Sequence, residues 1–309
     1  MYTAPTLRRS RRFRGIKMND KQFENKSIPM KSNTIRPLFL LLCLALSGLA
    51  GGCSSGDDGD GGGKEEEADA LTVKVMTYNI YGARSGGIPD LDALAEVIRR
   101  ADPDLVALQE VDRFTARNGT DVDIARELAE RCGMEYHFAR AMDMNPGAYG
   151  DAILSKLPVK SAESYTMSVD PELGGEQRSV ALVEVETAAG PLHFISTHLD
   201  HLSDPRNRVR QAEELLDIVA DIPAPLIVGG DFNATPDSEP IAILNSRLRV
   251  GCRNGNCTQP TFPTSGPDRI IDYIFYKGID RLSVRQYGIY EWASKESDHF
   301  PVVATFQLD

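Results

Sequence analysis

The chain has 309 residues, 41% hydrophobic and 26% charged, with a formal net charge of −11. That is enough apolar material for a sizeable core and too much for a disordered chain. Residues 1–52 hold 10 of the 34 Lys/Arg but only 2 of the 45 Asp/Glu, so the remainder is more acidic than the total suggests. So acidic a body argues against a sequence-independent grip on bulk nucleic acid.

In chain order, residues 1–52 are expected to be a signal-peptide region. Lys31 and Arg36 precede the apolar run PLFLLLCLALSGLAGGC, which has the length of a signal core and is short for a membrane span. Cys53 follows Ala50, Gly51 and Gly52 and resembles a lipobox cysteine, although Leu49 stands one place farther from it than in the commonest pattern. The plainer alternative is a cleaved signal with an incidental cysteine. Met18 or Met30 are alternative starts. Residues 53–70, in which Cys53 is followed by SSGDDGDGGGKEEEADA, are acidic and Gly-rich and are expected to be a flexible tether. The expectation is an exported protein, anchored by lipid at Cys53 to the cell envelope, at the outer membrane.

From Leu71 to Asp309 one domain is expected. LTVKVMTYNIY alternates like a strand, LDALAEVIRRA has helical spacing, DLVALQEV is a strand and DIARELAERC is helical. Further strands are expected in YGDAILSK, SVALVEVET, PLHFISTHL, PLIVGGDF, IDYIFYKG and FPVVATFQL, with helices beginning near Asp204 and Pro236. Many strands and few helices suggest a mixed sheet, or two stacked sheets, flanked by helices. Export permits disulfides, and Cys252 and Cys257 in CRNGNC are spaced to close a small loop; a two-cysteine metal site lacks further Cys or His nearby, and the pairing stays open at this point. Cys132 lies in a predicted helix with no obvious partner.

Polar residues accumulate at the ends of the apolar strands: Asn79, Glu110, His198, Asp231, Asn233, Asp272, Asp298 and His299. Singly, each has a plain structural reading, as a turn cap or an Asx turn before Pro236. Together, carboxylates, amides and imidazoles are the groups that hold a hard cation and move protons at a phosphate.

The strings TYNIYG, LQEV, STHLDH, GGDFNATPDS, IDYIF and SDHFPV, in this order across residues 72–307, resemble the endonuclease/exonuclease/phosphatase superfamily. The resemblance implies an α/β fold of DNase I type, a four-layer α/β sandwich of two packed mixed β-sheets flanked by helices. It implies Glu110 as the main ligand of Mg²⁺ or Mn²⁺, helped by Asn79 and Asp298. It implies a catalytic group in which Asp272 holds His299, Asp231 orients or deprotonates the attacking water, and Asn233 and His198 contact phosphoryl oxygens.

Arg178 is read either as a phosphate-binding guanidinium or as half of a surface ion pair. Asp200 and His201 have turn readings that compete with direct roles, and Arg208 and Gln211 read as structural. Asp151, with Tyr149 beside it, stands in YGDAILS where the family often has Asn; a carboxylate there repels phosphate unless it is protonated or metal-bound. Tyr81 departs from the Asp found in some nuclease branches.

The activity implied is divalent-metal-dependent hydrolysis of a phosphoester, as a phosphodiesterase or phosphatase, by in-line attack of water. A phosphorylated small-molecule or lipid substrate and a monomeric protein are expected. The alternatives are a secreted nuclease and a non-catalytic surface binding protein. The segment from Arg247 to Pro267, with its two cysteines, reads as a specificity loop.

Overall fold

Two βαβ units set the frame in the computed structural model, which describes residues 71–309. In the first, β1 (Thr72–Asn79) leads through α1 (Leu91–Ala101) to β2 (Leu105–Arg113), its parallel neighbour. In the second, β7 (Gly190–His198) leads through α3 (Arg206–Ala220) to β8 (Leu226–Asp231), again in parallel. A parallel pair needs such a crossover, and the helix covers one face of its sheet.

The remaining elements add antiparallel partners. These are α2 (Ile124–Cys132), β3 (Glu135–Met144), β4 (Gly147–Ser155), β5 (Val159–Met167), β6 (Arg178–Thr187), α4 (Glu239–Asn245), β9 (Arg249–Val250), β10 (Asp272–Lys277), β11 (Leu282–Ile289) and β12 (Val302–Leu308). One sheet runs β11-β12-β1-β2-β4-β3 and the other β5-β6-β7-β8-β10-β9, so both are mixed.

Side-chain alternation sorts the apolar residues into three cores. Val75, Leu105 and Ala107 face inward and meet Ala181, Val183, Phe194 and Ile227 of the second sheet. Met76, Tyr78, Val106 and Leu108 face outward and pack under Leu94, Ile98, Ile124 and Leu128 of α1 and α2. Val180, Ile195, Val228 and Phe275 do the same under Leu215 and Val219 of α3 and Ile241 and Leu244 of α4. The result is the expected four-layer α/β sandwich. At Gly229 the sheets come so close that an added Cβ would lie 3.0 Å from the Cβ atoms of Thr77 and Ala107.

Local signals place the helix ends. Asp90 and Asp123 accept the backbone N–H of Ala93 and Arg126, as N-caps do. The helix expected near Pro236 starts at Glu239, with Pro240 in its first turn, where a missing N–H costs nothing. Cys252 and Cys257 form a disulfide, so the cysteine pair left open above closes its loop. Cys132 is a free thiol. The expected signal region, Cys53 and the acidic tether lie outside the described residues. Among the described residues no helix is long and apolar enough to cross a membrane.

Candidate active site

The topology delivers several polar strand ends to one end of the sandwich. His198 on β7, Asp231 on β8 and Asp272 on β10 are register neighbours, side by side across three strands. From the first sheet come Asn79, at the end of β1, and Glu110 on β2; His299 and Asp298 immediately precede β12. A buried polar link joins the sheets beneath them: Gln109 Nε2 donates to Ser196 Oγ at 3.1 Å, while Gln109 Oε1 accepts Thr77 Oγ1 of its own sheet at 3.2 Å.

Two of these residues have left-handed backbone, which side chains other than Gly adopt at a cost. Glu110 has φ 59° and sits where the β2–β4 register slips between Leu108 and Val111, so a bulge re-aims its carboxylate. Asn233 has φ 47°, and its N–H donates to Asp231 Oδ1 at 2.9 Å in an Asx turn.

On one side of the pocket, His299 Nδ1 lies 3.1 and 3.0 Å from the two oxygens of Asp272, an arrangement in which Nδ1–H donates to the carboxylate. Its Nε2 is 3.7 Å from Asp231 Oδ2 and 4.0 Å from Asp298 Oδ1. Burial alone would lower the His299 pKa, but the charges of Asp272 and Asp231 outweigh it and push the imidazole up to about 10. His299 is therefore an imidazolium at neutral pH. Burial, reinforced by the Asp272 charge, pushes Asp231 up to about 7. Asn79 Nδ2 ties the group together, donating to Asp231 Oδ2 at 3.0 Å and to Glu110 Oε1 at 3.1 Å.

The other side is built around Arg178, which is buried on β6 with a side chain only 2% exposed. One terminal nitrogen donates to His198 Nδ1 at 3.2 Å; the other reaches His201 Nδ1 at 3.2 Å and Glu176 at 2.9 Å. Nε has no partner among the described residues, and the ion pair is made by a buried guanidinium with a partly exposed Glu176 rather than on a sheet surface. Burial, reinforced by the Arg178 charge, holds the His198 pKa well below the usual imidazole range. Arg178 can only donate toward His198 Nδ1, and on the far side of the ring Nε2 faces Asp231 Oδ2 at 3.4 Å. Asn233 Nδ2 donates to Leu199 O at 3.1 Å and lies 3.0 Å from the same Nε2.

The remaining candidates separate. Asp200 is a buried loop pin whose oxygens accept Glu176 N and Leu202 N. Gln211 accepts Asp200 N, and Arg208 donates to the carbonyls of Asp200 and Leu202, so both are structural as expected. His201 is half exposed at the rim. Tyr149 is buried, with the Arg117 guanidinium 5.7 Å from its ring centre. Asp151 is fully buried; Ser179 Oγ donates to one oxygen, and the other has no partner among the described residues. Burial pushes its carboxyl up to about 8, so at neutral pH it is mostly the acid and repels phosphate far less than a carboxylate would.

The donor set suits a hard cation. Glu110, Asp231, Asp272 and Asp298 converge on a pocket whose positive charges are His299 and Arg178, and no Lys or Arg among the described residues pairs with Glu110. Burial raises the Glu110 pKa, against the Asn79 hydrogen bond and the His299 charge. Oxygen donors with an excess of negative charge are what Mg²⁺ or Mn²⁺ takes. Asp231, Asp272 and His299 also bring one ligand atom each within 4.8 Å of one another. Since His299 is already spent on Asp272, the oxygen set around Glu110 is the better cation site.

Sequence reasoning passed over three contributors. Ser297 Oγ donates to Asn79 O at 2.7 Å and accepts His299 N at 3.2 Å, linking the His299 loop to β1. The Phe262 ring rests on the His299 imidazole, with centroids 4.5 Å apart. Thr261 binds the backbone of Asp272. Only Ser297, inside SDHFPV, had a signal in the sequence.

Known proteins place this arrangement. The uncharacterised Escherichia coli protein YbhP is 25% identical over 260 residues, covering 79% of this chain and 99% of that one. Exodeoxyribonuclease III of Haemophilus influenzae is 21% identical over 238 residues, covering 74% of this chain and 82% of that one. The structure of a mannosyl-6-phosphatase from Bacteroides thetaiotaomicron superposes with a TM-score of 0.59 at 18% identity, over 76% of this chain and 99% of that one. The sequence model of the endonuclease/exonuclease/phosphatase family matches residues 76–299, and the chain belongs to that family.

Proposed function

We propose that the protein is a divalent-metal-dependent phosphoesterase that hydrolyses a small phosphorylated or lipid-linked substrate by in-line attack of water. The observation that carries this reading is the placement of Asp231 between a neutral imidazole, His198, and a charged one, His299. A carboxylate near pH 7 is suited to take a proton from water, and Asp231 Oδ2 is the oxygen that faces both rings.

His299, held by Asp272, presents Nε2–H and a positive charge to a phosphoryl oxygen. His198 Nε2 and the Asn233 amide are placed to contact other phosphoryl oxygens as their charge grows. Glu110, with Asn79 and Asp298, would hold Mg²⁺ or Mn²⁺, which supplies neutralisation of the phosphoryl charge. The acidic body favours a small ester or a lipid headgroup over a long polyanion. Export and lipid anchoring through Cys53, with the domain acting as a monomer, are part of the proposal and rest on the sequence of residues 31–70.

A nuclease is the second reading, favoured by the exodeoxyribonuclease III relative and opposed by the net charge of −11. The test is hydrolysis by purified protein, with Mg²⁺, Mn²⁺ or a chelator, read as free phosphate from inositol phosphates and nucleotides and as cleaved products from sphingomyelin, DNA and RNA, beside His299→Ala. Metal-dependent hydrolysis of a small ester, lost in the variant, supports the proposal. Hydrolysis confined to DNA or RNA selects the nuclease. No hydrolysis of any substrate by folded, Mg²⁺-binding protein overturns both in favour of a binding protein.

A further inference from the structure

The segment between β9 and β10 holds the Asp272–His299 pair from behind. Thr261 is buried, and its Oγ1 accepts the N–H of Ile271 at 3.1 Å and of Asp272 at 3.2 Å. Its carbonyl accepts the N–H of Phe300, the residue after His299, at 2.8 Å. Its own N–H donates to Arg269 O at 2.8 Å, which closes the loop on itself.

Three residues on, Thr264 ties the same segment to the loop before His299. Its N–H donates to Asp298 O at 2.8 Å and its Oγ1 to Ser297 O at 3.1 Å. Between the two threonines, Phe262 covers the imidazole.

Behind Asp272 and Thr261 lies a cavity of about 200 Å³, bounded also by Cys252, Cys257 and Tyr287. A hydroxyl oxygen has two lone pairs, enough for both converging N–H groups, and no other side chain among the described residues accepts them.

We infer that Thr261 is a positioning residue for the Asp272–His299 pair: its hydroxyl fixes the backbone that carries the carboxylate and its carbonyl fixes the backbone that carries the imidazole. This rests on the phosphoesterase reading, in which that pair brings positive charge to the substrate. Valine keeps the shape of Thr261 but cannot accept, so two buried N–H groups lose their partner and the start of β10 has room to shift toward the cavity. A displacement of about 1 Å at a reacting group costs on the order of a hundredfold in rate.

The experiment compares Thr261→Val, Thr261→Ser and wild type, using the phosphoester that the substrate panel identifies. Two quantities are read: kcat against KM, and the low-field proton resonance of the His299 Nδ1–H, assigned by its loss in His299→Ala. The expected result for Thr261→Val is a fall in kcat of roughly a hundredfold with KM within about threefold, and a shifted or broadened resonance. Thr261→Ser, which restores the acceptor, is expected within about threefold of wild type with the resonance intact.

A wild-type kcat and resonance in Thr261→Val overturn the inference, as does a serine variant no better than valine. If the valine variant does not fold, Thr261→Ala is read by the same two criteria. If wild type hydrolyses nothing in the panel, the phosphoesterase reading fails, while the resonance in the three proteins still decides whether Thr261 holds the pair.

Discussion

The two imidazoles that flank Asp231 are both buried, yet their surroundings drive them in opposite directions. His299 faces Asp272 and Asp231 and is held charged at neutral pH; His198 faces Arg178 and is held neutral. Burial lowers both, so the difference lies wholly in the partner: carboxylates on one side, a guanidinium on the other. One pocket thereby offers a cationic imidazole and a neutral one to the same anionic group, with a carboxylate between them.

The comparison breaks most severely at Asp272. Asp272→Asn removes the charge that keeps His299 protonated and offers an amide that no longer selects the Nδ1–H tautomer. By analogy with removing the carboxylate that orients a catalytic imidazole, kcat is expected to fall by roughly three to four orders of magnitude. The stability profile carries a signature of the same change. The His299 pKa is raised in the folded state, so its contribution is fully present below about 6.5 and lost as pH rises through about 10. Thermal unfolding of wild type between pH 7 and 10 should show that alkaline loss, and Asp272→Asn should show less of it. Equal alkaline slopes in the two proteins would contradict the assignment.

A smaller effect is expected on the other side. Arg178→Lys keeps the positive charge but loses the fork that spans His198, His201 and Glu176. Without the guanidinium contact on Nδ1, the His198 ring loses a group that orients it beside Asp231. Loss of one oriented donor of this kind costs on the order of tenfold to a hundredfold in kcat, less than Asp272→Asn. Steady-state kinetics decide it, and an unchanged kcat would show that the Arg178 fork does not orient His198.

Much of this pocket was legible in the sequence because its groups sit at the ends of apolar strands, where residue type stands out against the run before it. The central strands were legible for the same reason. The strands with no distinct signal were β3, β5, β9 and β11, and these are the four edges of the two sheets. An edge strand is covered by a neighbour on one side only, so it tolerates polar residues and loses the apolar run that marks a central strand. VKSAESYTM in β5 is buried only at its last residue. Thr261 was illegible for another reason: its work is to accept backbone N–H groups 10 and 11 residues away, and nothing in the local sequence encodes that meeting. Asp151 was visible as a departure from the family pattern, but only its burial shows why a carboxyl is tolerated there.

Asp151 also yields the mildest test, one that touches stability rather than turnover. Its pKa is raised from 3.8 to about 8, so between those values the folded chain holds a proton that the unfolded chain has released. Stability contributed at this position therefore falls as pH rises from about 4 to about 8, and levels off above. Asp151→Asn removes the ionisation and can still accept from Ser179 Oγ. The variant should match wild type near pH 4 and become more stable with rising pH, by a few kcal/mol at pH 8 in order of magnitude. For a domain of this size that is about 2–4 °C in Tm per kcal/mol. A gap in Tm that stays constant from pH 4 to 8 would mean that Asp151 ionises as readily in the fold as out of it, and that the pocket holds one more negative charge against its phosphate than the geometry allows.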